Sequence, residues 1–121
     1  MKISKSKNKE IHALIIGDEI LSGKREDKHL RHLIKVLKAH NFQLSRADYV
    51  SDEIQKIQET LENKKGNIVF CFGGIGATPD DCTRSAAAFA HNKSLVCHPE
   101  AKVLIENHFG KNAYPKRILM A

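Results

Sequence analysis

Short apolar runs alternate with helix-period amphipathic segments along this chain, and that alternation leaves few folds open. Ile11 to Ile16 (IHALII) ends at Gly17 and has the continuous apolar character of a strand buried on both faces of a parallel sheet. Between Asp27 and His40 the residues Leu30, Leu33, Ile34 and Leu37 recur at helical spacing, with Lys and Arg elsewhere. Phe42 to Val50 reads as a second strand, interrupted by Arg46 and Asp48. Asp52 to Asn63 reads as a helix with Ile54, Ile57 and Leu61 on one face and Gly66 placed to close it. Ile68 to Phe72 (IVFCF) is the most apolar run and is expected to be the central strand. It opens directly into GGIGATPDDCT and an alanine-rich helix containing Ala86 to Ala90. A short apolar piece, Leu95 to Cys97, leads to Pro99 as the first residue of a helix carrying Ala101, Leu104, Ile105 and Phe109 and stopped at Gly110. Right-handed crossovers between such strands give a mostly parallel sheet with helices on both faces, a three-layer α/β/α arrangement.

A length of 121 residues accommodates one such domain. Residues 1 to 10 (MKISKSKNKE) form a basic stretch read as a flexible leader, and residues 11 to 121 as the domain. No run approaches the roughly 18 consecutive apolar residues of a membrane span, and no signal-peptide pattern is present, so the chain reads as cytoplasmic with no membrane partner. Cys71, Cys82 and Cys97 are odd in number and lack C-x-x-C spacing, which excludes a disulfide framework and a zinc ribbon and suggests reduced, buried cysteines. The net charge of +6 attracts phosphates but is spread along the chain, so no specific nucleic acid is indicated.

In a parallel sheet, ligands bind at the carboxyl ends of the strands, and acids fall at all three of these ends. Asp18 and Glu19 follow the first strand, Asp52 and Glu53 the second, Asp80 and Asp81 the third. Carboxylates converging there can hold Mg²⁺ or accept hydrogen bonds from a ligand's amino and ring N–H groups, or they can simply cap helices. In the third loop, Gly73, Gly74 and Gly76 allow close backbone approach, and the helix that follows presents N–H groups suited to a phosphate. Thr78-Pro79-Asp80-Asp81 fits a helix start, with Thr78 as cap, Pro79 in the first helical position and Asp81 as the capping-box acid. The loop matches neither the dinucleotide-binding nor the P-loop fingerprint.

The motifs Gly17-Asp18-Glu19-Ile20-Leu21-Ser22-Gly23, Val50-Ser51-Asp52-Glu53 and Gly73 through Arg84 (GGIGATPDDCTR) are specific in order and spacing. From about Ile11 to Phe109 the chain resembles the domain shared by the molybdenum-cofactor proteins MoaB, Mog and MoeA and by the N-terminal half of competence/damage-inducible protein A (CinA), most closely the CinA branch. The resemblance implies a pocket at the strand ends for molybdopterin or a related phosphorylated pterin or nucleotide. It places functional acids, as catalytic and metal-contacting candidates, at Asp52 and Asp81, with phosphate at the amides of Gly73, Gly74 and Gly76. Gly17, Asp18, Glu19, Thr78, Asp80 and Thr83 complete the ligand-contact candidates.

Two other functions are implied: a Mg²⁺-dependent pyrophosphatase acting on ADP-ribose-like dinucleotides in a full-length protein, and an oligomerisation module, related domains commonly being homo-oligomers. Relatives continue beyond the point matching Ala121, which implies a C-terminally incomplete pocket and an unpaired sheet edge. Either an intermolecular contact along that edge or disorder after about Lys111 is then expected. His29 and His32 lack a third metal ligand and read as solvated helix residues. His12 reads as a hydrogen-bonded, semi-buried strand residue, and His98 as helping to begin a helix. Cys82 sits beside two aspartates, which raise a thiol pKa and argue against a nucleophile.

Overall fold

The computed structural model describes residues 8–121; the leader expected over residues 1 to 10 lies mostly outside them. The first strand, β1 (Ile11–Ile16), is buried along its whole length, as its unbroken apolar character predicts. It is followed by a single helical turn, α1 (Asp18–Leu21), and by α2 (His29–Ala39), which ends at His40. The next strand, β2 (Arg46–Val50), is shorter than the sequence suggests, because Phe42 folds back on the helix end through Phe42 N to Leu37 O and stays exposed. Helix α3 (Ile54–Glu62) leads to β3 (Ile68–Phe72), and α4 (Thr83–Ala90), α5 (Pro99–Phe109), a 3₁₀ turn (Gly110–Asn112) and α6 (Pro115–Ile118) complete the chain. Gly66 does not cap α3; Asn63 does, and Gly66 serves the turn beyond it.

All strand pairings are parallel, in the order β2-β1-β3, with Leu14 opposite Asp48 on one side and Cys71 on the other. The most apolar strand is therefore at the edge and β1 is central, reversing the expectation for Ile68 to Phe72. An apolar run reports the burial a strand tolerates, not the number of its neighbours. Here Ile68 and Phe70 remain 45% and 39% exposed. Among the described residues the outer edge of β3 pairs with no strand.

Alternate residues of β1 serve two cores, as the two-residue period of a strand requires. Leu14 and Ile16 face Ile57 and Leu61 of α3 and Ala86 and Ala90 of α4, while Ile11, Ala13 and Ile15 face Leu33 and Leu37 of α2. The three-layer α/β/α arrangement follows. Ile57 is fully buried, and truncating it to alanine would cost about 2–5 kcal/mol.

Helix α5 begins as expected, with Pro99 in its first turn and His98 Nδ1 accepting from Ala101 N at 3.2 Å, but it buries no residue. Disorder after Lys111 is not what the structure shows. Tyr114 and Pro115 end one helix and start another, because proline suits the first helical turn as well as it stops a preceding one. The terminal segment is tied back by His98 N to Ala121 O (2.9 Å) and by Arg84, whose guanidinium donates to Leu119 O (2.9 Å) and Gly76 O (3.2 Å). Of the three free cysteines only Cys82 is buried, Cys71 and Cys97 being exposed, a correction to the reading of all three as interior. No helix among the described residues is long and apolar enough to cross a membrane.

Candidate functional site

The glycine turn is shaped by what its residues must clear. Gly73 has φ +97°, and a Cβ there would overlap the carbonyl oxygen of Ile16 at the end of β1. Gly74 has φ +67°, and a Cβ there would overlap Thr83 Oγ1 and lie 3.5 Å from Asp52 Oδ1. Both positions thus need glycine for conformation and for space. Thr83, nearly fully buried, locks the turn from behind: its Oγ1 donates to Gly73 O (2.7 Å) and its N–H to Gly74 O (3.1 Å).

Residues 78–81 form a hydrogen-bonded turn, not the first turn of a helix. Asp81 N donates to Thr78 O (3.0 Å), and Asp81 Oδ2 accepts from Thr78 Oγ1 (2.7 Å) and Thr78 N (3.1 Å). Helix α4 starts later than expected, at Thr83 with Cys82 preceding it, because the Thr83 amide is claimed by the glycine turn. Half of the capping box survives, with the acid reaching back to the Thr78 amide. The Thr78 hydroxyl, then its amide, hold the Asp81 carboxyl below the usual range. Its Oδ2 also stands 2.7 Å from where a Gly76 Cβ would be, so Gly76 gives Asp81 room.

The first two loops are joined by a reciprocal pair: Asp18 N donates to Asp52 Oδ2 and Asp52 N to Asp18 Oδ1, each at 3.0 Å. Gly17 N donates to Val50 O at 3.0 Å, which aligns the two strand ends beneath them. Glu19 lies with its carboxylate against Gly17. Glu53 takes no part; it pairs with Ser51 Oγ (2.7 Å) and Lys56 Nζ (2.9 Å) on the surface, and these two contacts, the serine's first, lower its pKa.

A cavity of about 530 Å³ opens where the three loops meet. Asp18, Glu19, Asp52, Gly74, Thr78, Asp80 and Asp81 line it, while Gly17, Gly73, Gly76 and Thr83 lie outside its lining. Ser22 and Lys24 also line it, unforeseen as site residues although they stand in and beside the first motif. The single turn of α1 and the bond from Arg25 N to Glu19 O fold that segment back over the strand ends. Lys24 is the one cation against five carboxylates. Their convergence registers on Cys82: burial first, then Asp52, and further Asp81 and Asp18, raise its thiol above the ordinary value, as expected for a residue that is no nucleophile. Among the described residues the amides of Gly74, Ile75 and Ala77 donate to no protein acceptor, and no group of three or more His, Cys, Asp or Glu is arranged to hold a metal. His29 is instead stacked on Phe72 at 4.9 Å, and His12 is buried between Glu10 (2.8 Å) and Lys64 (3.0 Å).

A family described as a probable molybdopterin binding domain matches residues 12–120. A CinA-like protein of Desulfosudis oleivorans is 31% identical over 79% of this chain and 24% of its own length. A putative competence-damage inducible protein of Clostridium tetani is 33% identical over 86% and 25%. The chain thus spans about a quarter of the length of these relatives. Among solved structures, CinA from Thermoplasma acidophilum superposes with a TM-score of 0.82 at 24% identity, over 93% of this chain and 68% of that one. MoaB from Thermus thermophilus superposes with a TM-score of 0.62 at 20% identity, over 92% and 70%. With the three-layer fold and all three strand-end motifs in place, the chain belongs to the molybdopterin-binding domain family of MoaB, Mog and CinA.

Proposed function

We propose that this domain binds a phosphorylated pterin of the molybdopterin type, or a nucleotide of similar donor pattern, in the cavity at the strand ends. The observation that carries this reading is that Gly74, whose amide donates to no protein acceptor among the described residues, lines one cavity with the carboxylates of Asp52 and Asp81, the equally unclaimed Ile75 amide following it in the chain. The amides of Gly74 and Ile75 receive the phosphate, as backbone N–H groups in such turns do for anions. Asp52 and Asp81 accept from the amino and ring N–H groups of the heterocycle, with Asp18, Glu19, Thr78 and Asp80 around it. Gly17, Gly73, Gly76 and Thr83 keep the loops in register.

The donor set suits such a ligand in kind: carboxylates accept from the N–H groups a pterin carries, and backbone amides donate to phosphate oxygens. Mg²⁺ fits only as a companion, since it is commonly held by one or two carboxylates together with substrate phosphates. Asp52 and Asp81 would hold it alongside those oxygens. Among the described residues no three or more of the cavity's carboxylates are arranged to hold a metal by themselves, so the binding reading takes precedence over a pyrophosphatase centre. Calorimetric titration with molybdopterin and with ADP-ribose, each with and without Mg²⁺, tests it. Heat with molybdopterin that falls at least tenfold in affinity in Asp52→Asn and Asp81→Asn is expected; no heat from either ligand overturns the reading.

A further inference from the structure

Helix α2 presents a second charged surface, none of whose residues lines the cavity. Lys28, at its N-cap, together with Arg31, Lys35 and Lys38 recurs at spacings of three and four, so these residues share one face of the helix. All four are exposed, and none joins a salt bridge among the described residues. No acid occurs from Lys28 to Arg46. Asp27 does not offset the stripe: its carboxylate accepts from His29 N, Leu30 N and Tyr49 OH and is nearly buried, which leaves Glu26 at the margin as the exposed acid. Leu33 and Leu37 anchor the opposite side of the helix in the core beneath β1, so the stripe is rigid. At about 1.5 Å per residue it extends roughly 15 Å.

Four uncompensated cations in a row repel one another and raise the local positive potential, and a polyanion laid along them relieves that repulsion. Leu33 and Leu37 are buried, and the exposed Ile34 and Val36 lie about 160° apart around the helix, so α2 offers no continuous apolar face to insert into a lipid surface. An extended ladder of phosphates satisfies the geometry, and the absence of aromatic side chains among the four positions leaves no stacking platform for single-stranded bases. We infer that the Lys28–Arg31–Lys35–Lys38 face of α2 is a sequence-independent contact surface for the phosphate backbone of duplex nucleic acid. This is a second binding surface, separate in residues and in ligand from the pterin cavity, and it stands whether or not that cavity binds a pterin.

The test is fluorescence anisotropy of a labelled random-sequence DNA duplex titrated with the protein from about 50 to 200 mM salt. At about 0.9 per neutralised phosphate, four contacts give a log–log slope near −3.6, or about 150-fold weaker binding across that range. The variant Lys28→Gln/Arg31→Gln/Lys35→Gln/Lys38→Gln keeps good helix formers and is expected to lose that slope while retaining its circular dichroism. A control with the same loss of charge, Lys65→Gln/Lys93→Gln/Lys102→Gln/Lys116→Gln, alters exposed lysines elsewhere and is expected to keep most of the slope. Absence of duplex binding at 50 mM salt, equal weakening in the two variants, or tighter binding to phosphatidylserine vesicles or polyglutamate than to the duplex would overturn the inference.

Discussion

Gly74→Ala perturbs the turn in two separable ways, and the structure allows each to be weighed. At φ +67° an alanine costs about 1–2 kcal/mol in backbone strain alone. Its Cβ also overlaps Thr83 Oγ1, which is nearly fully buried and donates to Gly73 O at 2.7 Å. Turning the threonine away leaves that carbonyl short of its donor and the hydroxyl buried, a further ~1–3 kcal/mol. Gly74→Ala is therefore expected to lose about 2–5 kcal/mol. Thr83→Ala alone is expected to lose about 1–3 kcal/mol, mostly that same hydrogen bond. In the double variant the overlap is gone and the bond is lost once rather than twice, so the total should fall short of the sum by about 1–3 kcal/mol. Urea unfolding of the four proteins measures this directly. Gly73→Ala supplies the contrast, since its Cβ meets the Ile16 carbonyl, a backbone atom no side-chain change can remove. Its cost should be at least as large and should gain no such relief from Thr83→Ala. Simple additivity for Gly74→Ala with Thr83→Ala would refute the claim that Thr83 closes this turn.

Asp48→Asn should destabilise the fold by about 3 kcal/mol, because it leaves the buried Lys64 ammonium, 2.6 Å from the lost charge, with only His12 and a neutral amide; a loss under about 1 kcal/mol in urea would count against that pairing. Arg46 first, and Lys64 as well, hold Asp48 below its ordinary value of 3.8, so the stabilisation is complete above that value and is lost as pH falls through the lower folded value. The difference between wild type and Asp48→Asn should accordingly be constant from about pH 5 to 7 and shrink below about pH 4, and a difference unchanged at pH 3 would contradict the ion pair. Thiol labelling of the native protein should modify Cys97 fastest, Cys71 more slowly because partial desolvation on β3, though the residue is exposed, raises its pKa, and Cys82 only on unfolding; three rapid equivalents would show that the start of α4 is open.

The periodic features of the sequence translated directly into the fold. Ile11 to Ile16 is buried throughout, and Leu33, Leu37, Ile57 and Leu61 face the sheet, because burial on one face of a helix or both faces of a strand leaves a repeat that can be counted. Strand order leaves no such trace. IVFCF was expected at the centre and lies at the edge, since local hydrophobicity carries no information about which segments pair on either side. The start of α4 was misplaced for a related reason: Thr78, Pro79 and Asp81 satisfy the local rules for a helix start, but Thr83 is claimed by the carbonyls of Gly73 and Gly74 in a tertiary contact.

The site divides along the same line. Glycine, threonine and aspartate at the strand ends were legible because each has a local conformational or hydrogen-bonding reason to be there. The reciprocal bonds between Asp18 and Asp52 were not, since they join residues 34 positions apart and exist only once β1 and β2 lie side by side with Gly17 N on Val50 O. Each aspartate commits one oxygen to the other's backbone, which fixes both carboxylates at the cavity rim and leaves the second oxygen of each without a hydrogen-bond partner among the described residues. Asp18 is thus coupled to the role proposed for Asp52. Replacing Asp18 by asparagine keeps an acceptor for the Asp52 amide and should leave the loop geometry and ligand affinity nearly intact. Replacing it by alanine frees the Asp52 loop and should weaken binding about as much as Asp52→Asn does. Calorimetry on the two variants separates a positioning role for Asp18 from direct contact with the ligand, because only direct contact through its charge would make asparagine as damaging as alanine.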